Sequence, residues 1–215
     1  MHYQNVLFDL DGTLTDPREG ITRSIQYGLS KMGIDEPDLT KLEHFIGPPL
    51  LQAFMEFYAF SETQAWEAVG FYRERFAVTG LYENRVFEGV TPLLEALEGQ
   101  GRQLFIATSK PQVYAREIAR HFDFARHFNE VYGSELDGTR TNKVELIRHL
   151  MTEQGLDPAQ TLMIGDRKHD LIGAHENGLD AAAVGYGFGS FEELNAFAPK
   201  YHFATLAQLH QAFKG

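Results

Sequence analysis

The chain has 215 residues, with 30 acidic and 19 basic side chains, a formal net charge of −11 and no cysteine. The acidic balance disfavours nonspecific binding to duplex nucleic acid or an anionic membrane, and the missing cysteine excludes disulfides, zinc–thiolate sites and a thiol nucleophile. A hydrophobic content of 43% is enough for a sizeable core and argues against global disorder.

The first residues, Met1 to Asn5, lack the basic start and apolar run of a signal peptide. No apolar run approaches the ~20 residues of a membrane span, so the expected location is cytoplasmic. Val6-Leu7-Phe8 reads as the end of a buried strand. Asp16-Pro17 reads as a helix start, with Asp as cap and Pro at the first helical position. That helix runs through Ile21, Ile25 and Leu29 to about Gly33. Leu39 to Phe45 is a short helical piece, broken by Ile46-Gly47-Pro48-Pro49, and Leu51 to Tyr58 resumes the pattern. Ser61 and Gln64 resemble a capping box, opening a helix through Trp66, Val69, Tyr72 and Phe76.

Beyond Leu81 the texture changes. Thr91-Pro92 starts a helix ending near Gly99, followed by a buried-strand run, Leu104 to Thr108. Pro111 opens a helix to His121, Glu130 to Tyr132 is a short strand, and Thr141 caps a helix to Gln154. Thr161 to Gly165 is a strand, Lys168 to Asn177 a helix and Ala181 to Val184 a weaker strand. Ser190 with Glu193 marks a capped helix, Tyr201 to Phe203 an edge strand and Thr205 to Phe213 a closing helix. Alternating strands and helices imply βαβ units. The expected fold is α/β: a doubly wound parallel-sheet core from residues 1–15 and 86–215, with an all-helical segment, 16–85, inserted after the first strand. An insertion there falls over the usual ligand crevice and would act as a cap.

Three strand ends carry polar residues where that crevice should lie. The first ends in Asp9-Leu10-Asp11-Gly12-Thr13. Two carboxylates so close are costly without a cation between them, and a hard divalent ion such as Mg²⁺ suits oxygen ligands; an ordinary Asp-Gly turn is the competing reading. The second ends in Thr108-Ser109-Lys110, which would also serve simply to cap the next helix. The third ends in Gly165-Asp166, with Asp170 four residues on, a spacing equally open to a solvent-facing pair. Lys143 lies between the last two, and a lone lysine is by default solvated.

Together these motifs resemble the haloacid dehalogenase superfamily of phosphatases with a small helical cap, over essentially the whole chain. Thr15 to Ile21, Ile46 to Pro49 and Ala107 to Pro111 extend the resemblance to the phosphoglycolate-phosphatase-like branch and its bacterial 5'-nucleotidase-like members. The resemblance implies that Asp9 attacks phosphorus and forms an aspartyl-phosphate, while Asp11 acts as general acid and then general base. It implies Mg²⁺ held by Asp9, the Asp11 backbone carbonyl and Asp166, with Asp170 orienting the metal shell. Gly12 permits the turn near the phosphate, Thr108 or Ser109 bonds a phosphoryl oxygen, and Lys143 steadies Asp9 and the transferred charge. Lys110 and, from the cap, Arg23 are assigned to substrate binding.

The implied substrate is a small phosphorylated metabolite, with a 5'-nucleotide leading and phosphoglycolate or another small phosphate as the alternative. Dehalogenases of the superfamily lack the second acid, and Asp11 is present. Mutases of similar architecture carry a cap histidine shortly after the first motif; Arg18 to Arg23 contains none. A non-catalytic binding module would be marked by loss of Asp9, Asp11, Lys143 or Asp166, and all are present. Arg18, Lys41, Arg73 and Arg75 are further anion candidates, and Phe45 with Gly47-Pro48-Pro49 is a candidate substrate-facing loop. Phe54, Phe57, Tyr58, Trp66, Phe71 and Tyr72 suit either base stacking or core packing. His44, His169 and His175 show no metal-binding spacing. The expected state is monomer or homodimer.

Overall fold

The computed structural model describes residues 1–214. The chain divides into two compact units: Met1–Asp16 with Val86 onward, and Pro17–Arg85. In order, β1 (Asn5–Phe8) and β2 (Thr15–Asp16) lead into α1 (Arg18–Lys31), α2 (Leu50–Tyr58) and α3 (Glu62–Arg75). β3 (Arg85–Val86) pairs with β2 where the chain leaves and rejoins the sheet-bearing unit. Then follow α4 (Val90–Gly99), β4 (Gln103–Pro111), α5 (Gln112–His121), β5 (Glu130–Ser134), α6 (Lys143–Gln154) and β6 (Thr161–Gly165). α7 (Lys168–Glu176), β7 (Asp180–Val184), α8 (Phe191–Asn195), β8 (Tyr201–Phe203) and α9 (Leu206–Phe213) complete the chain.

Six strands form one parallel sheet in the order β5-β4-β1-β6-β7-β8. Successive side chains point to opposite faces, and both faces are covered. Leu7, Phe105, Ala107, Met163, Ala181 and Ala183 pack against Leu146, Ile147 and Leu150 of α6 and Leu171 and Ala174 of α7. Their neighbours Val6, Phe8, Leu104, Ile106, Leu162 and Ile164 are equally buried on the other face, where α4 and α5 pack on β4 and α9 packs on β8 and α4. Burial on both sides explains why these strands read as unbroken apolar runs. The chain builds outward from β1 in one direction, then returns to build in the other. Such a reversal places a ligand crevice at the carboxyl ends of the central strands, here β4, β1 and β6.

The helical unit is held by its own core. α1 packs on α3, α2 on α3, and the 3₁₀ segment Leu39–Phe45 on α1. Ile25, Leu29, Leu42, Phe45, Phe54, Val69 and Tyr72 are buried there; Phe45 and Phe54 have ring centroids 5.0 Å apart. Core packing is therefore the use of Phe45, Phe54 and Tyr72. The Ser61–Gln64 capping box forms in full. α3 runs into a π-helical turn, Phe76–Gly80. Beyond it, Glu83 accepts two bonds from Arg75, at 2.7 and 2.8 Å.

Two expected caps differ. Asp16 lies extended and buried in β2, and α1 begins at Arg18 with Pro17 before it and no side-chain cap. The cap of α6 is Asn142, whose Oδ1 accepts from the Val144 N–H. Thr141 donates instead to the Gly138 carbonyl, closing the preceding turn. β4 also extends past the expected strand, so Ser109 and Lys110 join Thr108 as strand residues. Among the described residues, no helix is long and apolar enough to cross a membrane.

Candidate active site

The site is assembled within the sheet-bearing unit from the carboxyl ends of β1, β4 and β6 and the first turn of α6. Asp9 continues the β1 ladder, its N–H donating to Ile164 at 2.9 Å. The chain then turns sharply: the Leu10 carbonyl accepts from the N–H groups of Leu14 and Thr15, at 2.9 and 3.0 Å. Gly12 makes this possible with φ +86°, and a Cβ there would run into the Asp166 carboxylate.

Two buried lysines divide the first two carboxylates between them. Lys143, the first residue of α6, places Nζ 2.9 Å from Asp9 Oδ1, 2.8 Å from Asp170 Oδ1 and 2.8 Å from the Ala107 carbonyl. Lys110 places Nζ 2.9 and 2.7 Å from the two carboxylate oxygens of Asp11. Asp166 is fully buried and accepts from the Thr13 hydroxyl at 3.2 Å and the Phe188 N–H at 2.8 Å. Asp170 accepts from the Arg167 N–H at 3.1 Å, and Arg167 in turn pairs with Glu193 at 2.9 Å.

The charge balance shows in the protonation preferences. Burial drives the Asp11 carboxyl above its ordinary range, against the pull of Lys110. Burial, then Asp170 and Asp9, hold Asp166 well above it. Burial raises Asp170 to about 6 despite Lys143 beside it. For Lys143, burial disfavours the charge, but Asp170 and Asp9 more than offset it and the ammonium is held more firmly than usual.

These contacts bring together Asp9, Asp11, Gly12, Lys110, Lys143, Asp166 and Asp170. Thr108 is buried beside them, its hydroxyl accepting from the Lys110 N–H at 3.3 Å. The Ser109 carbonyl is taken by the Ser134 hydroxyl at 2.9 Å. Arg23 belongs to the helical unit, where it is exposed and paired with Glu19 one turn away at 3.0 Å. Arg18 pairs with Glu43 and Lys41 with Glu36. Sequence reasoning missed the loop after β7, Gly185-Tyr186-Gly187-Phe188-Gly189. A Cβ on Gly187 or Gly189 would collide with Asp166, and Tyr186 donates from its hydroxyl to the Thr13 carbonyl at 2.9 Å. The alternating glycines directly after a strand were the available signal.

The arrangement suits a metal ion. Asp9, Asp166 and Asp170 each offer a carboxylate oxygen, all within 4.8 Å of one another and all buried. Asp9, Asp11, Asp166 and Asp170 are buried, as are Lys110 and Lys143, so four carboxyl groups stand against two ammonium groups. Carboxyl oxygens in excess of the available cations are what a hard divalent ion takes as ligands, favouring their ionised form.

Known proteins share this plan. A family model described as haloacid dehalogenase-like hydrolase matches residues 6–184. A Pseudomonas aeruginosa protein named 5'-nucleotidase is 65% identical over 214 residues, covering 100% of this chain and 97% of its own length. The tyrosine-protein kinase PtkA of Mycobacterium tuberculosis is 36% identical over 97% of this chain and 72% of its own. The crystal structure of a predicted phosphatase from Clostridium acetobutylicum superposes with a TM-score of 0.97 at 43% identity, covering 100% of this chain and 99% of that one. With its parallel sheet, its carboxylates and lysines gathered from three strand ends and the start of α6, and these relatives, the chain belongs to the haloacid dehalogenase-like hydrolase family.

Proposed function

We propose that the protein is a Mg²⁺-dependent phosphatase of small phosphate monoesters, with 5'-nucleotides as its substrates. The observation that carries the chemistry is the pairing of Asp9 and Asp11, which follow β1, with two different buried lysines beside a cluster of oxygen donors. The substrate follows from the P. aeruginosa relative, 65% identical over the whole chain.

Asp9, the Asp11 carbonyl and Asp166 would hold the ion. Asp170 would orient that shell, since its oxygens already face Lys143 and the Arg167 N–H. Bound there, Mg²⁺ supplies positive charge against the repulsion between a carboxylate and a phosphate dianion. Asp9 attacks phosphorus as the bond to the leaving oxygen breaks, giving an aspartyl-phosphate. Lys143 fixes Asp9 and offsets charge on the phosphoryl oxygens. Asp11 gives its proton to the leaving alkoxide, then takes one from the water that cleaves the aspartyl-phosphate. Burial favours the protonated form needed first. The Thr108 hydroxyl accepts from the Lys110 N–H, which leaves its own proton to donate to a phosphoryl oxygen.

The choice of leaving group is assigned to the helical unit, inserted in the chain directly after the Asp9–Asp11 turn, and within it to Arg23. The test is phosphate release from a panel of phosphorylated metabolites with and without Mg²⁺. A kcat/KM for 5'-nucleotides above that for phosphoglycolate supports the reading. The reverse order makes it a phosphoglycolate phosphatase, and no Mg²⁺-dependent release from any monoester refutes it.

A further inference from the structure

We infer that Lys110 is a positioning residue that holds the Asp11 carboxyl for proton transfer, and not a ligand of the substrate's phosphoryl group. The inference rests on the acid–base role proposed for Asp11.

The ammonium lies within 2.9 Å of both Asp11 oxygens. The two side chains are 5% and 9% exposed, so water competes little for either. A cation shared between both oxygens fixes the plane of a carboxyl that would otherwise rotate about its last torsion. A group that delivers a proton in one step and removes one in the next needs that fixed position, because the leaving oxygen and the attacking water occupy the same place in turn. The backbone explains how Lys110 gets there. The pairing of β4 with β5 shifts register between Ala107 and Pro111, so the strand end that carries Lys110 departs from a regular ladder. The Lys110 N–H is meanwhile tied to the Thr108 hydroxyl. Lys143 already reaches Asp9, so each acid has a separate cation from a separate element.

The test is a double-mutant cycle on the full-length enzyme with excess Mg²⁺, comparing parent, Lys110→Met, Asp11→Asn and the double variant. Each is assayed on a 5'-nucleotide, whose alkoxide needs a proton to leave, and on p-nitrophenyl phosphate, whose phenolate does not. Inorganic phosphate serves as a competitive inhibitor. Lys110→Met is expected to lower kcat for the nucleotide by about 10- to 100-fold, part of the usual general acid–base contribution. The loss should be smaller for p-nitrophenyl phosphate, with KM and phosphate inhibition unchanged within about two-fold. In the Asp11→Asn background the same substitution should change kcat by no more than about two-fold. The inference is overturned if Lys110→Met weakens phosphate inhibition or KM as much as kcat. It is equally overturned if the substitution costs as much with Asp11→Asn as without it. If Asp11→Asn is itself as active as the parent on the nucleotide, the acid–base reading fails first, whatever Lys110 does. Should Lys110→Met alone not fold, by circular dichroism, Asp11→Asn against the double variant decides, because neither leaves a buried carboxylate without its cation.

Discussion

Replacing Lys143 with Met removes the one ammonium that Asp9 and Asp170 share. The three side chains are 3%, 6% and 1% exposed, so solvent cannot take the lysine's place. Breaking a buried ion pair by deleting one partner costs about 3–5 kcal/mol. In a chain of this length each kcal/mol moves Tm by about 2–4 °C, so the metal-free variant should melt about 6–20 °C below the parent at pH 8. The loss should depend on pH in a defined direction. A carboxyl whose folded pKa is raised contributes stability that is present below its ordinary value and lost as pH rises through the folded value. In the parent, Asp170 finishes that loss near its folded value of about 6. Without Lys143 the folded value climbs further, so the variant goes on losing about 1.4 kcal/mol per pH unit above pH 6 while the parent does not. The gap should therefore widen by about 2–3 kcal/mol between pH 6 and pH 8 from Asp170 alone. The assay is thermal and urea unfolding of both proteins in chelator at the two pH values. Equal gaps at both pH values, or a gap under about 2 °C at pH 8, would refute the reasoning. Turnover with Mg²⁺ should fall by about 10²–10³-fold, as when a donor to developing charge is removed.

Asp9→Asn should reduce nucleotide hydrolysis to background while far-UV circular dichroism is kept, and acid-quenched protein should no longer gain the mass of one phosphoryl group. Residual activity near the parent's would mean that Asp9 is not the nucleophile. Gly187→Ala pushes a methyl group at Asp166 and should weaken Mg²⁺ binding about 10- to 100-fold by calorimetry, the size of outer-shell effects at metal sites; unchanged affinity would dissociate the loop from the ion. Saturation with Mg²⁺ at about 100 times its Kd should stabilise the parent by about 2.7 kcal/mol. That shift should shrink as pH falls below about 6, because Asp170 and Asp166 then hold protons that the ion must displace. Ser61→Ala breaks the capping box of α3 and should cost about 1 kcal/mol in urea unfolding without changing kcat.

What could be read from the sequence follows from what each signal reports. The strands were legible because a sheet covered on both faces demands unbroken apolar runs, as in Val6-Leu7-Phe8 and Leu162-Met163-Ile164. Helix starts were legible to within a residue or two: Thr141 and Asn142 are both good caps, and only the hydrogen bond to the Val144 N–H separates them. Asp16 misled because its extended backbone in β2 overrides the capping preference of an Asp-Pro pair. The loop Gly185–Gly189 acts through the Phe188 N–H and through glycines packed directly against Asp166; the N–H is not a property of side-chain type, and the glycines alone do not say what they pack against. Arg75 reads in the sequence as one of several candidate anion contacts on the helices. Its partner Glu83 lies across a π-helical turn, and helical periodicity does not predict that separation.

Asp9 and Asp11 are the same residue type two positions apart, and the sequence offers no local reason for them to differ. Their surroundings differ in one respect that bears on chemistry. Lys143 touches a single oxygen of Asp9 and spends its other contacts on Asp170 and a carbonyl. Lys110 spans both oxygens of Asp11. An acid held by one oxygen keeps the other for attack. An acid held by both is fixed in place, suited to passing a proton and not to forming a bond to phosphorus. The proposed division of labour between nucleophile and acid–base thus follows from which lysine each carboxylate meets. Those lysines come from α6 and from the register-shifted end of β4, more than 90 residues along the chain from the aspartates. A substitution that displaced this end of β4 should accordingly impair proton transfer while sparing the nucleophile. That separation can be read as a loss of nucleotide hydrolysis larger than the loss on p-nitrophenyl phosphate.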